Sequence, residues 1–160
     1  LLSTGRNLER LGFLAQALAS AFETGAVYDE GGFEAVVALF DSTITFHAQY
    51  QQRHDILALL DLLVLDGDNP RSLGWVAQTL RGRLARLAGS PTGVMPVMAM
   101  PVPDPQHWKL ESLCERDEDG QHARLLELLQ QCVDASYRLS DDLTARYFAL
   151  TGDGRFSVGA

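Results

Sequence analysis

Leu65-Asp66-Gly67-Asp68-Asn69-Pro70-Arg71-Ser72-Leu73 joins two strongly apolar segments and reads as a helix stop followed at once by a helix start. Gly67 is the residue type that ends helices in the left-handed conformation. Asn69 is a strong N-cap, and Pro70 then falls at the first helical position, where its missing N–H costs nothing. Helix stability does not explain Arg71, because a cation in a first turn opposes the macrodipole. Arg71 is a surface residue, the partner of an acid, or the receiver of an anion, which free N–H groups at a helix start already favour.

The segments on either side are helical by their spacing. Before the turn, residues 55–65 are apolar on nearly all sides, as in a buried central helix. Asp61 interrupts them and must lie on a narrow polar edge or be paired. After the turn, a helix from Pro70 to about Leu87 shows Leu73, Val76, Ala77, Leu80, Leu84 and Leu87 on one face. Arg81, Arg83 and Arg86 lie elsewhere, as suits a solvated face near a C-terminus.

Further out, residues 1–24 form an amphipathic helix with a stripe of Leu8, Leu11, Ala15, Leu18 and Phe22. Gly5, Gly12 and Ala19 repeat every seven residues beside it, a row of small residues that lets another helix approach closely. Thr24-Gly25 ends this helix, and residues 25–32 read as a loop with Gly31-Gly32. A second helix is expected from about Phe33 to Arg53. Its centre, residues 41–46, is rich in β-branched residues, but the apolar spacing is three and four rather than two.

Residues 89–105 carry too many prolines for regular helix and yet are apolar, with Met95, Met98 and Met100. A strap packed across the bundle is favoured over a lid or a partner surface. A short helix around Gln106–Arg116, an acidic turn at 117–120 and a last helix from about His122 to Leu150 complete the chain. Leu125, Leu126, Leu129, Val133, Ser140, Leu143 and Tyr147 carry the last helix, and Gly152 and Gly154 are expected to end it. The fold class is therefore all-α: a bundle of about five or six helices with one long apolar loop.

Composition bounds the function. The chain has 160 residues, 46% hydrophobic and 21% charged, as in an ordinary globular domain. A net charge of −8 without a basic cluster argues against nucleic acid as the main partner. Cys114 and Cys132 make neither a disulfide framework nor a metal motif, so a reducing, cytoplasmic setting is expected. No apolar run approaches the roughly 20 residues that span a bilayer, so no membrane partner is expected. His47 and His54 stand seven residues apart without an accompanying Glu-x-x-His, and no metal is expected. There is no Gly-x-Ser-x-Gly and no glycine-rich phosphate loop, so no cofactor is expected and the chain is not itself an ATP-binding part.

Two stretches together resemble a known family. Gly5-Arg6-Asn7-Leu8-Glu9-Arg10 is similar to the Gly-Arg-x-Leu-Glu-Arg signature of the Alpha-E family, a predicted helical bacterial domain named for a Glu-Arg pair. Leu65–Leu73 is similar to the family's Asn-Pro-Arg-Ser-Leu signature. The ending, Leu139-Ser140-Asp141-Asp142-Leu143 with Tyr147-Phe148, resembles the family's last helix. The family's domain is roughly double this length, so residues 1–160 are expected to be a single helical domain forming the C-terminal part of a longer one. With its other half absent, an apolar face and self-association are expected.

The resemblance implies a setting more than a reaction. Alpha-E domains are associated with ATP-grasp ligases and transglutaminase-like proteins, and an ATP-grasp enzyme joins a carboxylate to an amine through an acyl phosphate. The implied function is an accessory or binding domain of such a peptide-ligase or peptide-modification system, holding a partner or a peptide-like ligand. The alternatives are an enzyme in its own right and a purely structural half-bundle. For the enzyme, Glu9 is the candidate acid or base and Arg71 the carboxylate clamp. Arg10, Asn69, Arg71 and Ser72 are the candidate substrate- or anion-binding residues. Arg71 is expected to point toward Glu9, Asp61 or Asp66. An open pocket at Glu9 and Arg71 would favour chemistry or binding, and a sealed core would favour a scaffold.

Overall fold

The five apolar residues of the first stripe, Leu8, Leu11, Ala15, Leu18 and Phe22, are all buried on one helix, α1 (Leu2–Glu23). The computed structural model describes residues 2–51, 54–88 and 100–158. Its long last helix, α7 (Ala123–Val158), runs along α1 and makes the most extensive packing in the chain. Gly12 permits this approach, because a Cβ there would stand 2.5 Å from the Ser136 Oγ. That hydroxyl is buried and donates to the Leu8 carbonyl at 2.8 Å, closing the seam with a hydrogen bond. Gly5 has nothing within 4 Å, so the seven-residue row matters at one of its glycines.

α2 (Glu30–Leu39) starts three residues earlier than the pattern suggested. Gly31-Gly32 lies inside its first turn rather than in a loop. A Cβ on Gly32 would come 1.9 Å from the carbonyl oxygen of Ala26, in the 3-10 turn Ala26–Tyr28. The glycine makes room for a close crossing of backbones.

The expected second helix is two helices. α2 stops at Leu39, Asp41 takes a left-handed conformation (φ 49°), and α3 (Thr43–Tyr50) begins after Ser42. Ser42 is buried, and its hydroxyl donates to the Phe40 carbonyl at 3.0 Å. The apolar spacing hides the break because Phe40 and Phe46 are buried on both sides of it. Phe33 and Phe46 meet edge to face at 5.4 Å between centroids, which folds α3 back on α2.

The most apolar segment is α4 (Ile56–Leu60), continued without interruption by a π-helical stretch, Asp61–Leu65. The Asp55 carboxylate caps it, accepting from the Leu57 N–H at 3.0 Å. Leu59, Leu60, Leu62, Leu63 and Val64 are sealed in the core, where each contributes about 1.5–3 kcal/mol by burial. Asp61 faces outward and accepts a hydrogen bond from the Tyr50 hydroxyl at 3.0 Å.

α5 (Leu73–Ala88) follows the central turn and packs on α1, and its expected apolar face is the one turned inward. Of the strap, residues 89–99, including Met95 and Met98, lie outside the described residues. Its described end is packed: Val102 is buried, and Arg81 on α5 bonds to the Val102 carbonyl and pairs with Asp104 at 3.6 Å. A 3-10 turn (Pro105–His107) and α6 (Leu110–Cys114) lead to the acidic turn. There the Asp117 carboxylate accepts from the N–H groups of Asp119 and Gln121, both at 2.9 Å. α7 continues through Gly152 and Gly154, which do not end it. The protein is all-α, with seven α-helices and no strand among the described residues.

Candidate functional site

The central turn begins where the π-helical stretch releases the chain. Asp66 takes an extended conformation (φ −67°, ψ 103°) and its carboxylate accepts from the Asp68 N–H at 2.9 Å. Gly67 is not left-handed, so the stop is made by Asp66 and not by a glycine cap. Asn69 is not the helix cap either. It is buried; its amide donates to the Leu62 carbonyl at 3.2 Å, and its Oδ1 accepts from the Arg71 N–H at 3.1 Å. Its backbone carbonyl accepts from the Ser72 N–H at 2.9 Å, so residues 69–72 form a turn. Pro70 occupies the second place of that turn rather than the first place of a helix.

Ser72 is the cap. Its hydroxyl accepts from the Trp75 N–H at 3.0 Å and donates to the Asp66 carbonyl, and the residue is fully buried. The helix therefore starts at Leu73, three residues later than the sequence pattern placed it. The side chains of Asn69 and Ser72 are engaged in closing the turn, Asn69 on the π-helical Leu62 carbonyl and Ser72 on the carbonyl of Asp66 just after it. Arg71 turns to the surface and pairs with Asp41 of the α2–α3 link at 3.1 Å. It does not pair with Glu9, Asp61 or Asp66. Glu9 is exposed on α1 and Arg10 half-buried beside it, and neither forms an ion pair among the described residues.

A groove of about 720 Å³ opens on the other side of the same turn, between α5 and the Pro105–His107 turn. Gly67 and Gly74 line it where it meets the turn, Trp75 gives it an aromatic wall, and Gln78, Thr79 and Gln106 line it with polar groups. Arg83 and Arg86 supply two permanent cations. They stand together in a chain of net charge −8. No His, Cys, Asp or Glu lines the groove among the described residues. The arrangement can bind a planar anion, stack an aliphatic or aromatic group on Trp75, and hydrogen-bond amides. Among the described residues its lining offers the Thr79 hydroxyl as a nucleophile and no carboxylate, imidazole or thiol.

The sequence does not single out this surface. Its signal is a second helical stripe, with Trp75, Thr79, Gly82 and Arg86 recurring every three to four residues opposite the apolar face of α5. Elsewhere, Glu34 lies between His47 and His54, yet no group of three or more His, Cys, Asp or Glu among the described residues has the geometry of a metal site. No helix of the described residues is long and apolar enough to cross a membrane. Cys114 and Cys132 are both free thiols.

Comparison with known proteins gives a family. The model of the Alpha-E family, described as a predicted alpha-helical domain with a conserved ER motif, matches residues 1–148. Uncharacterised proteins of Mycobacterium bovis and of two strains of Mycobacterium tuberculosis are each 30% identical over 161 aligned positions. Those alignments cover 95% of this chain and 18% of each relative, so the chain spans less than a fifth of their length. No solved structure matches. With all but its last twelve residues inside the family model, the chain belongs to the Alpha-E family.

Proposed function

We propose that this Alpha-E domain is an accessory binding domain of an ATP-grasp- and transglutaminase-associated peptide-ligase or peptide-modification system. In this reading the groove beside the central turn receives a carboxylate-bearing, peptide-like ligand. The observation that carries the reading is that Arg83, Arg86 and Trp75 line one groove whose lining, among the described residues, includes no carboxylate or imidazole. Guanidinium forks recognise carboxylates bidentately, which matches the chemistry that such ligases consume. An enzyme built on Glu9 and Arg71 is not supported, because Arg71 is engaged by Asp41 and Glu9 stands apart from it in solvent.

The test is titration of short peptides with a free or an amidated C-terminus, read by the fluorescence of Trp75 in a Trp108→Phe background. Free-acid peptides should bind, and amidation or Arg86→Ala should weaken binding about tenfold or more, the loss of a charge-assisted contact of about 1.5–3 kcal/mol. Binding that is indifferent to both changes, or absent at millimolar peptide, would refute the assignment.

A further inference from the structure

α3 is attached differently from every other helix. Two residues outside glycine have positive φ among the described residues, Asp41 (φ 49°) and Gln51 (φ 57°), and they flank α3 at its two ends. Aspartate is among the residues that enter the left-handed region most readily, whereas Gln51 (φ 57°, ψ −136°) holds a conformation that a long side chain rarely adopts. One side chain of α3, Phe46, is buried, and Ile44 on the opposite side is 87% exposed. Tyr50 packs its ring beside Phe46 at 5.2 Å between centroids, and the remaining attachment is polar: Asp41 to Arg71, the Tyr50 hydroxyl to Asp61, and a clasp on Glu34 of α2.

The clasp has a specific proton arrangement. Both Glu34 carboxylate oxygens are used, Oε2 by the His47 Nε2 at 3.1 Å and Oε1 by the His54 Nε2 at 3.0 Å. The His47 Nδ1 faces the Gln51 carbonyl at 2.7 Å and must donate to it. In a neutral His47 that leaves a lone pair on Nε2 pointing at a carboxylate oxygen, which is repulsive. The geometry is satisfied when His47 carries both protons. The His54 ring lies tilted against Phe33 at 4.9 Å between centroids, so the same clasp lies against the aromatic contact that seats Phe46. Among the described residues, the groups facing it are Glu34 from α2, His47 from α3, His54 from the segment after it, and the rings of Phe33 and Phe46.

We propose that α3 is a proton-latched flap, hinged at Asp41 and Gln51, which the Glu34–His47–His54 clasp holds shut in mild acid and releases as the pH rises. The directions of titration agree. The Gln51 carbonyl and the Glu34 carboxylate raise the His47 imidazole above its ordinary 6.5, so its contribution is full below that value and lost as pH climbs through the raised one. The hydrogen bond from His54, with a smaller one from His47, lowers the Glu34 carboxyl below its ordinary 4.5, so its contribution is full above 4.5 and lost in stronger acid. The latch is tightest between about 4.5 and 6.5.

Hydrogen exchange of the whole chain tests this, with amide rates corrected for intrinsic pH dependence and α5 amides as the internal reference. Protection of the Phe46–Gln51 amides relative to α5 should fall between pH 5.5 and pH 8, as the second proton on His47 is lost. Glu34→Gln should flatten the profile. Arg71→Ala should lower α3 protection by a similar factor at both pH values and leave their ratio unchanged. A pH-independent α3, a profile retained by Glu34→Gln, or one abolished by Arg71→Ala would overturn the latch. So would a collapse of α3 protection at pH 8 on adding a chelator, since a divalent cation and not a proton would then be holding the clasp.

Discussion

Asn69→Asp replaces one NH₂ by an oxygen and discriminates between two roles for the residue. As a helix N-cap, aspartate would serve as well as asparagine. As the clamp seen in the structure, it fails, because the amide nitrogen lies 3.2 Å from the Leu62 carbonyl and donates to it. The substitution removes that hydrogen bond, leaves a buried carbonyl without its donor, and sets a carboxylate oxygen against it. Losing the bond costs about 0.5–1.5 kcal/mol and stranding the carbonyl about 1–3 kcal/mol, overlapping quantities that together give about 2–3 kcal/mol. For a domain of this size the Tm should drop by about 4–12 °C. The Oδ1 bond to the Arg71 N–H is retained, so a loss of this size would come from the clamp. The assay is urea unfolding followed by far-ultraviolet circular dichroism on wild type and mutant across pH. Protonating the new carboxyl restores a donor, so the deficit should shrink as pH falls into the ordinary aspartate range near 3.9. A mutant within 0.5 kcal/mol of wild type at neutral pH, about the size of an inconsequential surface change, would refute the clamp.

Three further outcomes follow from the same geometry. Arg71→Ala should cost no more than about 1 kcal/mol in urea, because its pair with Asp41 is 48% and 84% exposed, whereas the about 3–5 kcal/mol of a buried pair would show that the pairing had been misplaced. A thiol reagent at pH 8 should leave Cys132 unlabelled in the native chain, since it is sealed in the core and burial pushes its thiol up to about 12, and labelling at the rate of an unfolded control would contradict the packing of α7 on α1. His122 is buried, its Nδ1 donates to the Leu113 carbonyl at 3.2 Å, and its Nε2 has no hydrogen-bond partner among the described residues. Burial lowers its pKa, so the folded state binds fewer protons and stability should decline as pH falls below about 6.5; His122→Phe should remove that part of the slope, and an unchanged slope would refute it.

His122 and His47 therefore act in opposite senses, one weakening the whole fold in acid and the other tightening one helix. The sequence offers His47 as one of two histidines seven residues apart and His122 as the start of the last helix. Only packing separates them, since His122 meets Phe22 edge to face at 5.2 Å inside the core and His47 meets a carboxylate at the rim.

Residue spacing by itself determined the helices. The stripe on α1 and the apolar face of α5 follow from side chains recurring at helical spacing, which fixes the inward face before any partner is known, and the burial of Leu59, Leu60, Leu62, Leu63 and Val64 follows from a segment apolar on nearly all sides. It also marked the central turn as the joint of the fold. What spacing could not supply was where backbones cross and which polar atoms they leave over. The break at Asp41 was hidden because the phenylalanines on either side both face inward, so the pattern runs on across it. Gly31-Gly32 looked like a loop because the space Gly32 provides is filled by Ala26, six residues earlier. Asn69 looked like a cap because its carbonyl partner at Leu62 exists only once the preceding helix ends in a π-turn. The site moved for the same reason: the turn's polar groups are engaged in closing the joint, and the open cations lie along the outer face of α5, whose stripe of Trp75, Thr79, Gly82 and Arg86 becomes one wall of a groove only when the Pro105–His107 turn packs beside it.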